Sequence, residues 1–273
     1  MGKTSEIEWT DATWNPWMGC RKVSLGCKLC YAERDMTRYG RDFSLVTRAK
    51  PATFRAPLKW KDPLRIFTCS WSDFFIEQAD PWRAEAWEII RQTPQHTYMI
   101  LSKRLERLTR ACLEALRWEP WPNVWLGVSA ENQEQGDKRI PQLLQIPAAV
   151  RFVSYEPGLG PVDFGKWLVA SGQGQEKKAS HLPLVTHHCL NLLIIGGESA
   201  RPRSKARPFH LEWAFDALAQ CRAAGVACFI KQLGSNPYYH GQPLRLRHWK
   251  GGDMTEWPEE LRVREFPKTN SEL

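Results

Sequence analysis

Arg65-Ile66-Phe67-Thr68-Cys69-Ser70-Trp71-Ser72-Asp73 is a short apolar run that ends in a polar cluster, and this unit recurs along the chain. A run of this length and composition reads as a strand buried on both faces. A helix is predicted after it, with Asp80 as N-cap, Pro81 at the first position and an end near Gln92. Thr97-Tyr98-Met99-Ile100-Leu101 ends in Ser102-Lys103-Arg104 and leads into a helix to about Trp118. Val124-Trp125-Leu126-Gly127-Val128 ends in Ser129-Ala130-Glu131-Asn132, with a helix towards Pro141. Arg151-Phe152-Val153-Ser154 ends in Tyr155-Glu156-Pro157, and Asn191-Leu192-Leu193-Ile194-Ile195 ends in Gly196-Gly197-Glu198-Ser199. A helix from about Pro208 to Ala224 stops at Gly225, and Ala227-Cys228-Phe229-Ile230 ends in Lys231-Gln232.

Apolar strands alternating with helices indicate a parallel sheet covered by helices. Counting a first strand at Ile7-Glu8-Trp9, the chain holds about seven βα units. An open doubly wound sheet has room for that many. A partial or full TIM-like (βα) barrel explains more, because the polar clusters all fall at strand C-terminal ends, which converge on the active-site face of such a barrel. The expected fold class is therefore α/β, with the barrel over residues 1–234.

The loop after the first strand carries Cys20, Cys27 and Cys30 in a C-x6-C-x2-C spacing, with Gly19 and Gly26 beside two of them. It spans residues 18–31 and runs into a short helix, Tyr31 to Tyr39, closed by Gly40. A closed structural zinc site takes four ligands, and the nearest histidine, His96, is far downstream. Three cysteines on one loop suit an iron–sulfur cluster with one iron open to a substrate or cofactor. Zinc with a distant fourth ligand, Cys69 or His96, is the alternative. Cys112, Cys189, Cys221 and Cys228 read as small core residues.

The 273 residues give one large domain, and a hydrophobic content of 42% excludes a disordered chain. No apolar run reaches the roughly 20 residues of a membrane span. Met1 to Glu6 is polar and has no signal-peptide core, so the expected compartment is the cytoplasm, with cysteines as ligands or core residues rather than disulfides. A net charge of +8 favours a polyanionic partner such as nucleic acid. The fourteen tryptophans are base-stacking platforms or, for most of them, core filler.

Residues 41–63 look irregular and carry Arg41, Arg48, Lys50, Arg55, Lys59 and Lys61, as either a solvated loop or a backbone-binding strip. Residues 165–189 read as an inserted polar loop, whose His181, His187 and His188 have no spaced acidic or cysteine partner. Residues 235–273 lose the βα rhythm. Their Tyr238, Tyr239, Arg245, Arg247, His248, Trp249 and Lys250 suit a nucleic-acid surface or a strap over the barrel.

A three-cysteine loop after the first strand of a partial barrel resembles the radical S-adenosylmethionine superfamily, whose usual spacing is C-x3-C-x2-C. Nearly the whole chain, from about residue 6 to 235, is similar to a phage and bacterial family of radical-SAM-like proteins known for a three-cysteine motif. The matching segments are Ile7 to Pro16, Gly26-Cys27 with Cys30-Tyr31-Ala32-Glu33-Arg34, Asn123 to Ser129 with Glu131-Asn132-Gln133, Arg151 to Ser154 with Glu156-Pro157, and Ile195 to Ser199.

The resemblance implies a 4Fe-4S cluster on Cys20, Cys27 and Cys30, with S-adenosyl-L-methionine on the open iron and a 5′-deoxyadenosyl radical as product of its cleavage. It implies an external electron donor. Ser70 and Asp73 are then candidates for the methionine amino group, and Ser129, Glu131 and Asn132 for the carboxylate or the ribose hydroxyls. Gly196 and Gly197 allow close approach of the cofactor, while Glu198, Glu156 and Lys103 are candidate catalytic residues. Lys103, Arg104 and Lys231 balance charge or meet a phosphate. The plain alternative for these polar residues is turn and N-cap chemistry. Such proteins are associated with phage genes that hypermodify DNA, including radical rearrangement of groups attached to thymidine. The implied activity is thus isomerisation or other remodelling of a modified DNA base, in the host cytoplasm if phage-encoded. A nucleic-acid-binding protein with a structural zinc or iron–sulfur site is the other functional class.

Overall fold

In the computed structural model, which describes residues 4–108, 121–168 and 189–268, seven strands form one parallel sheet in chain order. They are β1 (Ala12–Trp14), β2 (Arg65–Thr68), β3 (Thr97–Ser102), β4 (Val124–Ser129), β5 (Val150–Tyr155), β6 (Leu192–Gly196) and β7 (Ala227–Gln232). Each pairs in parallel with the next, and β1 and β7 are the two ends of the order. The sheet curls into a half-barrel without closing, the partial form of the expected α/β TIM-like barrel.

Strand alternation divides the apolar residues between two faces. Ile66, Tyr98, Ile100, Leu126, Val153, Leu193 and Ile230 pack beneath the helices with Trp87, Ile140 and Leu218. Phe67, Met99, Trp125, Phe152, Ile194 and Phe229, one from each of β2 to β7, fill the inside of the curl. Gly127 faces inward, where a Cβ would lie 2.5 Å from the Phe152 ring, so the glycine makes room for that ring.

The expected first strand at Ile7-Glu8-Trp9 is not a strand. Residues 5–11 form a turn closed by Thr10 N–H to Ile7 O at 3.0 Å and Ser5 N–H to Asp11 O at 2.9 Å. Trp9 is instead an inward plug, 4.7 Å from the Phe67 ring and 2% exposed. Trp9 is buried by its packing inside the curl and not by a place in a ladder.

The helices α1 (Tyr31–Arg38), α2 (Asp80–Gln92), α3 (Gln133–Leu144) and α4 (Leu211–Ala224) lie close to their expected spans. Asn132 caps α3 by accepting from Gln135 N–H at 3.0 Å, and Gly225 ends α4 at φ +66°. The start of α4 is later than expected, because Phe209–His210 extends to pair with Pro237–Tyr239. Most of the helix expected after Ser102, together with Cys112 and the three histidines of the 165–189 segment, lies outside the described residues. No helix among those described is long and apolar enough to cross a membrane.

The C-terminal residues strap the sheet. Ile230 N–H bonds Val263 O at 2.8 Å and Glu265 N–H bonds Cys228 O at 2.9 Å, which covers the free edge of β7. Phe266 follows, 5.3 Å from Phe229 and 6.4 Å from Trp125, with the Arg65 guanidinium 4.1 Å over its ring. Trp257 and Leu261 are core residues.

Candidate functional site

The C-terminal ends of the strands open on a cavity of about 490 Å³. Cys20, Cys27 and Cys30 line it together with Lys103, Glu156 and Lys231, which enter from β3, β5 and β7. The loop that carries the cysteines starts on a two-residue antiparallel pairing of Trp17–Met18 with Thr47–Arg48, and three carboxylate–guanidinium pairs hold the rest in place.

The first pair is Asp73 and Arg104, beyond the ends of β2 and β3, with an N–O distance of 3.3 Å and both side chains buried. Arg104 also donates to Arg21 O at 2.5 Å and to Cys20 Sγ at 3.5 Å. The second is Glu131 and Arg139, 2.9 Å apart with 0% and 3% side-chain exposure. Glu131 Oε1 accepts from the Gly26 N–H at 3.2 Å. The third is Glu198 and Arg207, and Arg207 donates to Leu25 O at 2.8 Å. Shorter ties complete the frame: Ser72 Oγ to Gly19 O at 2.6 Å, and Tyr31 Oη to Ser70 O at 2.8 Å. Gly19 takes φ +98° there, and a Cβ would lie 2.3 Å from Leu45 O.

The thiols differ electrostatically. Burial pushes the Cys20 thiol up to about 11, against the pull of Arg104. Burial raises Cys30 as well. Cys27 is also desolvated, but the Lys103 charge and hydrogen bonds from Val23 and Ser24 outweigh that and hold it below its ordinary value. Deeper in the cavity, Lys103 Nζ donates to Ser129 Oγ at 2.9 Å. Lys231 Nζ bonds both Glu156 oxygens at 2.7 and 2.9 Å, and Gln232 Nε2 adds a third bond at 3.2 Å.

Ser70, Asp73, Ser129, Glu156, Lys103, Gly197 and Glu198 reach the cavity wall, as the sequence led us to expect of mouth residues. Several are already engaged. Asp73 accepts from Phe75 N–H, Ser102 Oγ, Lys103 N–H and Arg104, so its carboxylate organises a turn and has no lone pair to spare for an amine. Glu131 lies behind the wall under the cysteine loop, and the Arg139 charge helps hold its carboxyl below the usual range despite its burial. Asn132 is spent on the helix cap. Gly196 and Gly197 admit protein and not an open approach: a Cβ on Gly196 would meet Glu156 at 3.2 Å, and one on Gly197 would meet Leu233 O at 2.4 Å. Arg139 and Arg207 went unread in the sequence, where nothing in a lone arginine signals a partner on another element.

For metal binding, the donor set is thiol only. Among the described residues no three His, Cys, Asp or Glu side chains converge as ligands of a single ion would. His96 is removed as a zinc ligand, because it precedes β3 at the opposite end of the sheet, with Nε2 3.3 Å from Pro57 O. Cys69 lines the cavity but is buried, with its thiol pushed well above its ordinary value. Cys20, Cys27 and Cys30 share the lining of one cavity, with the Lys103 charge near Cys27 and Cys30 and Arg104 donating to Cys20 Sγ.

Residues 4–258 match the family described as Protein of unknown function (DUF5131), a match that runs past residue 234 into the strap. No curated protein and no solved structure matches the chain. Matched over nearly its whole length, the chain belongs to the DUF5131 family.

Proposed function

We propose that this protein is a radical S-adenosylmethionine enzyme that remodels, by isomerisation or a related step, a modified thymidine-type base in DNA, with reducing equivalents from an external donor. The observation that carries the reading is the placement of Cys20, Cys27 and Cys30 on one cavity wall at the C-terminal mouth of a parallel half-barrel. Those three thiols would hold a 4Fe-4S cluster, which with S-adenosyl-L-methionine supplies a 5′-deoxyadenosyl radical.

The chain's own residues set the surroundings. Lys103 places a positive charge near Cys27 and Cys30, which offsets thiolate charge and suits the carboxylate of an amino acid. Ser129 fixes that ammonium, and Glu156 with Lys231 and Gln232 forms a polar surface that binds without adding net charge. Glu198 serves the loop through Arg207 rather than the reacting atoms. Phe67 lines the cavity and packs with Met99, Trp125 and Phe152 in the apolar cluster inside the curl. The net charge of +8 supports a polyanionic substrate.

The test is anaerobic reconstitution with iron and sulfide, then dithionite and S-adenosyl-L-methionine, with 5′-deoxyadenosine as readout and Cys27→Ala as control. Product from the wild type alone is expected. A colourless protein that retains zinc and forms no cluster would overturn the reading in favour of a nucleic-acid-binding protein with a structural metal.

A further inference from the structure

The positive charge of the chain is concentrated in one stretch. Residues 20–63 hold eleven of the 38 lysines and arginines but only four of the 30 acidic residues, a balance of +7 against +8 for the whole protein. Residues 235–273, the other basic and aromatic stretch, hold six of each and are neutral. Ten of the eleven cations in the first stretch are exposed, and the eleventh, Arg48, is tied to Glu85. Solubility asks for charges of both signs interspersed, whereas an excess of one sign attracts a partner of the other.

The fold brings this charge to the rim of the cavity. In α1, Ala32 and Met36 are buried, while Arg34 and Arg38 lie two residues further on, roughly 200° around the helix, and face away from the core. Arg21 and Arg34 also line the cavity, and Lys28 is exposed on the loop between Cys27 and Cys30. The segment after α1 returns to the same loop: Arg41 Nη1 lies 3.3 Å from Met18 Sδ, and Cys20 N–H bonds Phe43 O at 2.7 Å. Tyr39, 66% exposed, stands 6.1 Å from the ring of Trp71, another lining residue. Among the described residues, Arg21, Lys28 and Arg38 have no ion-pair partner, and Arg34 has only its partly exposed neighbour Asp35.

We propose that the cysteine loop, α1 and Arg41 form a surface that binds the sugar–phosphate backbone of DNA along the rim of the cavity. Exposed cations without partners neutralise phosphates and release their counterions. The exposed ring of Tyr39, beside Trp71, gives a base a face to stack on. The neutral tail has its cations engaged elsewhere: Arg247 pairs with Glu256 and Lys250 with Glu8. The inference rests on the proposed function only in taking DNA as the substrate, and binding on this surface needs no cluster.

The test is fluorescence anisotropy of the full-length protein with a labelled oligodeoxynucleotide, single-stranded and duplex, over a series of salt concentrations. The wild type binds at least one form, and log K falls against log salt with a slope of about −3 or steeper. Lys28→Gln, Arg34→Gln and Arg38→Gln combined weaken binding about tenfold or more and make the slope shallower by about 2. Arg245→Gln with Lys268→Gln, which removes two exposed cations of the tail, leaves affinity and slope as in the wild type. Tyr39→Ala weakens the single strand about fivefold without changing the slope. Thermal melts matching the wild type show that these exposed substitutions leave the fold intact.

No binding of either DNA form by the wild type overturns the proposal. So does an unchanged salt slope in the triple variant, or an equal loss of affinity in the tail variant. Poly-L-glutamate binding as tightly as DNA at the same salt would make the face a dock for an acidic protein, which also overturns it. DNA binding on this face without 5′-deoxyadenosine formation would keep the surface and remove the radical chemistry. Turnover to 5′-deoxyadenosine with no DNA binding would do the reverse.

Discussion

Glu131 accepts a 3.2 Å hydrogen bond from the backbone N–H of Gly26, joining residues 105 apart in the chain. The Arg139 guanidinium holds the other oxygen of the same carboxylate at 2.9 Å. The cysteine loop is thus anchored by a charge with no exposed side-chain surface.

Removing that carboxylate leaves Arg139 buried and uncompensated. Glu131→Ala is expected to cost about 3 kcal/mol of stability, in the range for breaking a buried pair. Urea denaturation checks this, and a midpoint equal to that of the wild type would show that the pair does not anchor the loop.

The same group sets a pH dependence. The folded Glu131 carboxyl lies below its ordinary value, so the unfolded state binds the proton more readily. Its contribution is full above the unfolded glutamate pKa of about 4.3 and is lost as pH falls through the folded value. Glu131→Gln should therefore flatten the acid limb of the stability curve below about pH 4.3. An unchanged acid limb in urea titrations at several pH values would refute this.

Two glycines separate backbone conformation from close contact. Gly19 and Gly40 both have positive φ, but only at Gly19 would a Cβ strike backbone, whereas Gly40 faces open space. Gly40→Ala should cost about 1 kcal/mol and Gly19→Ala about 2–3 kcal/mol or more. Only Gly19→Ala should increase protease cutting between residues 20 and 30; equal cutting in both variants would contradict the close-contact account.

Ligand removal distinguishes the cavity cysteines. After reconstitution, Cys27→Ala should retain about a tenth of the wild-type iron or less, and Cys69→Ala should retain most of it. Iron and sulfide analysis gives the answer, and iron loss in Cys69→Ala instead would make that buried residue a ligand.

The strap is testable at Phe266, which lies under Phe229 and Trp125 with Arg65 over its ring. Phe266→Ala should destabilise the protein by about 2 kcal/mol. A variant of unchanged thermal stability would mean that the tail only rests on the sheet.

The sequence by itself determined the sheet. Six of the seven strands stand where short apolar runs precede polar clusters, because a strand buried on two faces must be apolar at every position. It also determined that the cysteine loop belongs to the strand ends, since a loop that follows a strand of a parallel sheet leaves from that strand's C-terminal end. The first strand was misplaced because Trp9 is buried as a plug inside the curl, a burial that local alternation cannot tell from a ladder position.

Only the tertiary structure decided how the mouth residues divide their work. Asp73, Glu131 and Glu198 share one appearance in sequence, a carboxylate shortly after a strand. Their arginine partners, at positions 104, 139 and 207, turn them into anchors of the cysteine loop. Glu8 and Trp9 passed for strand residues, yet folding pairs the first with Lys250 and packs the second inside the curl. Periodicity records how much a residue is buried, whereas hydrogen-bond partnership depends on which distant groups arrive within about 3 Å. That second quantity is fixed by the curl of the sheet and cannot be read from neighbours along the chain.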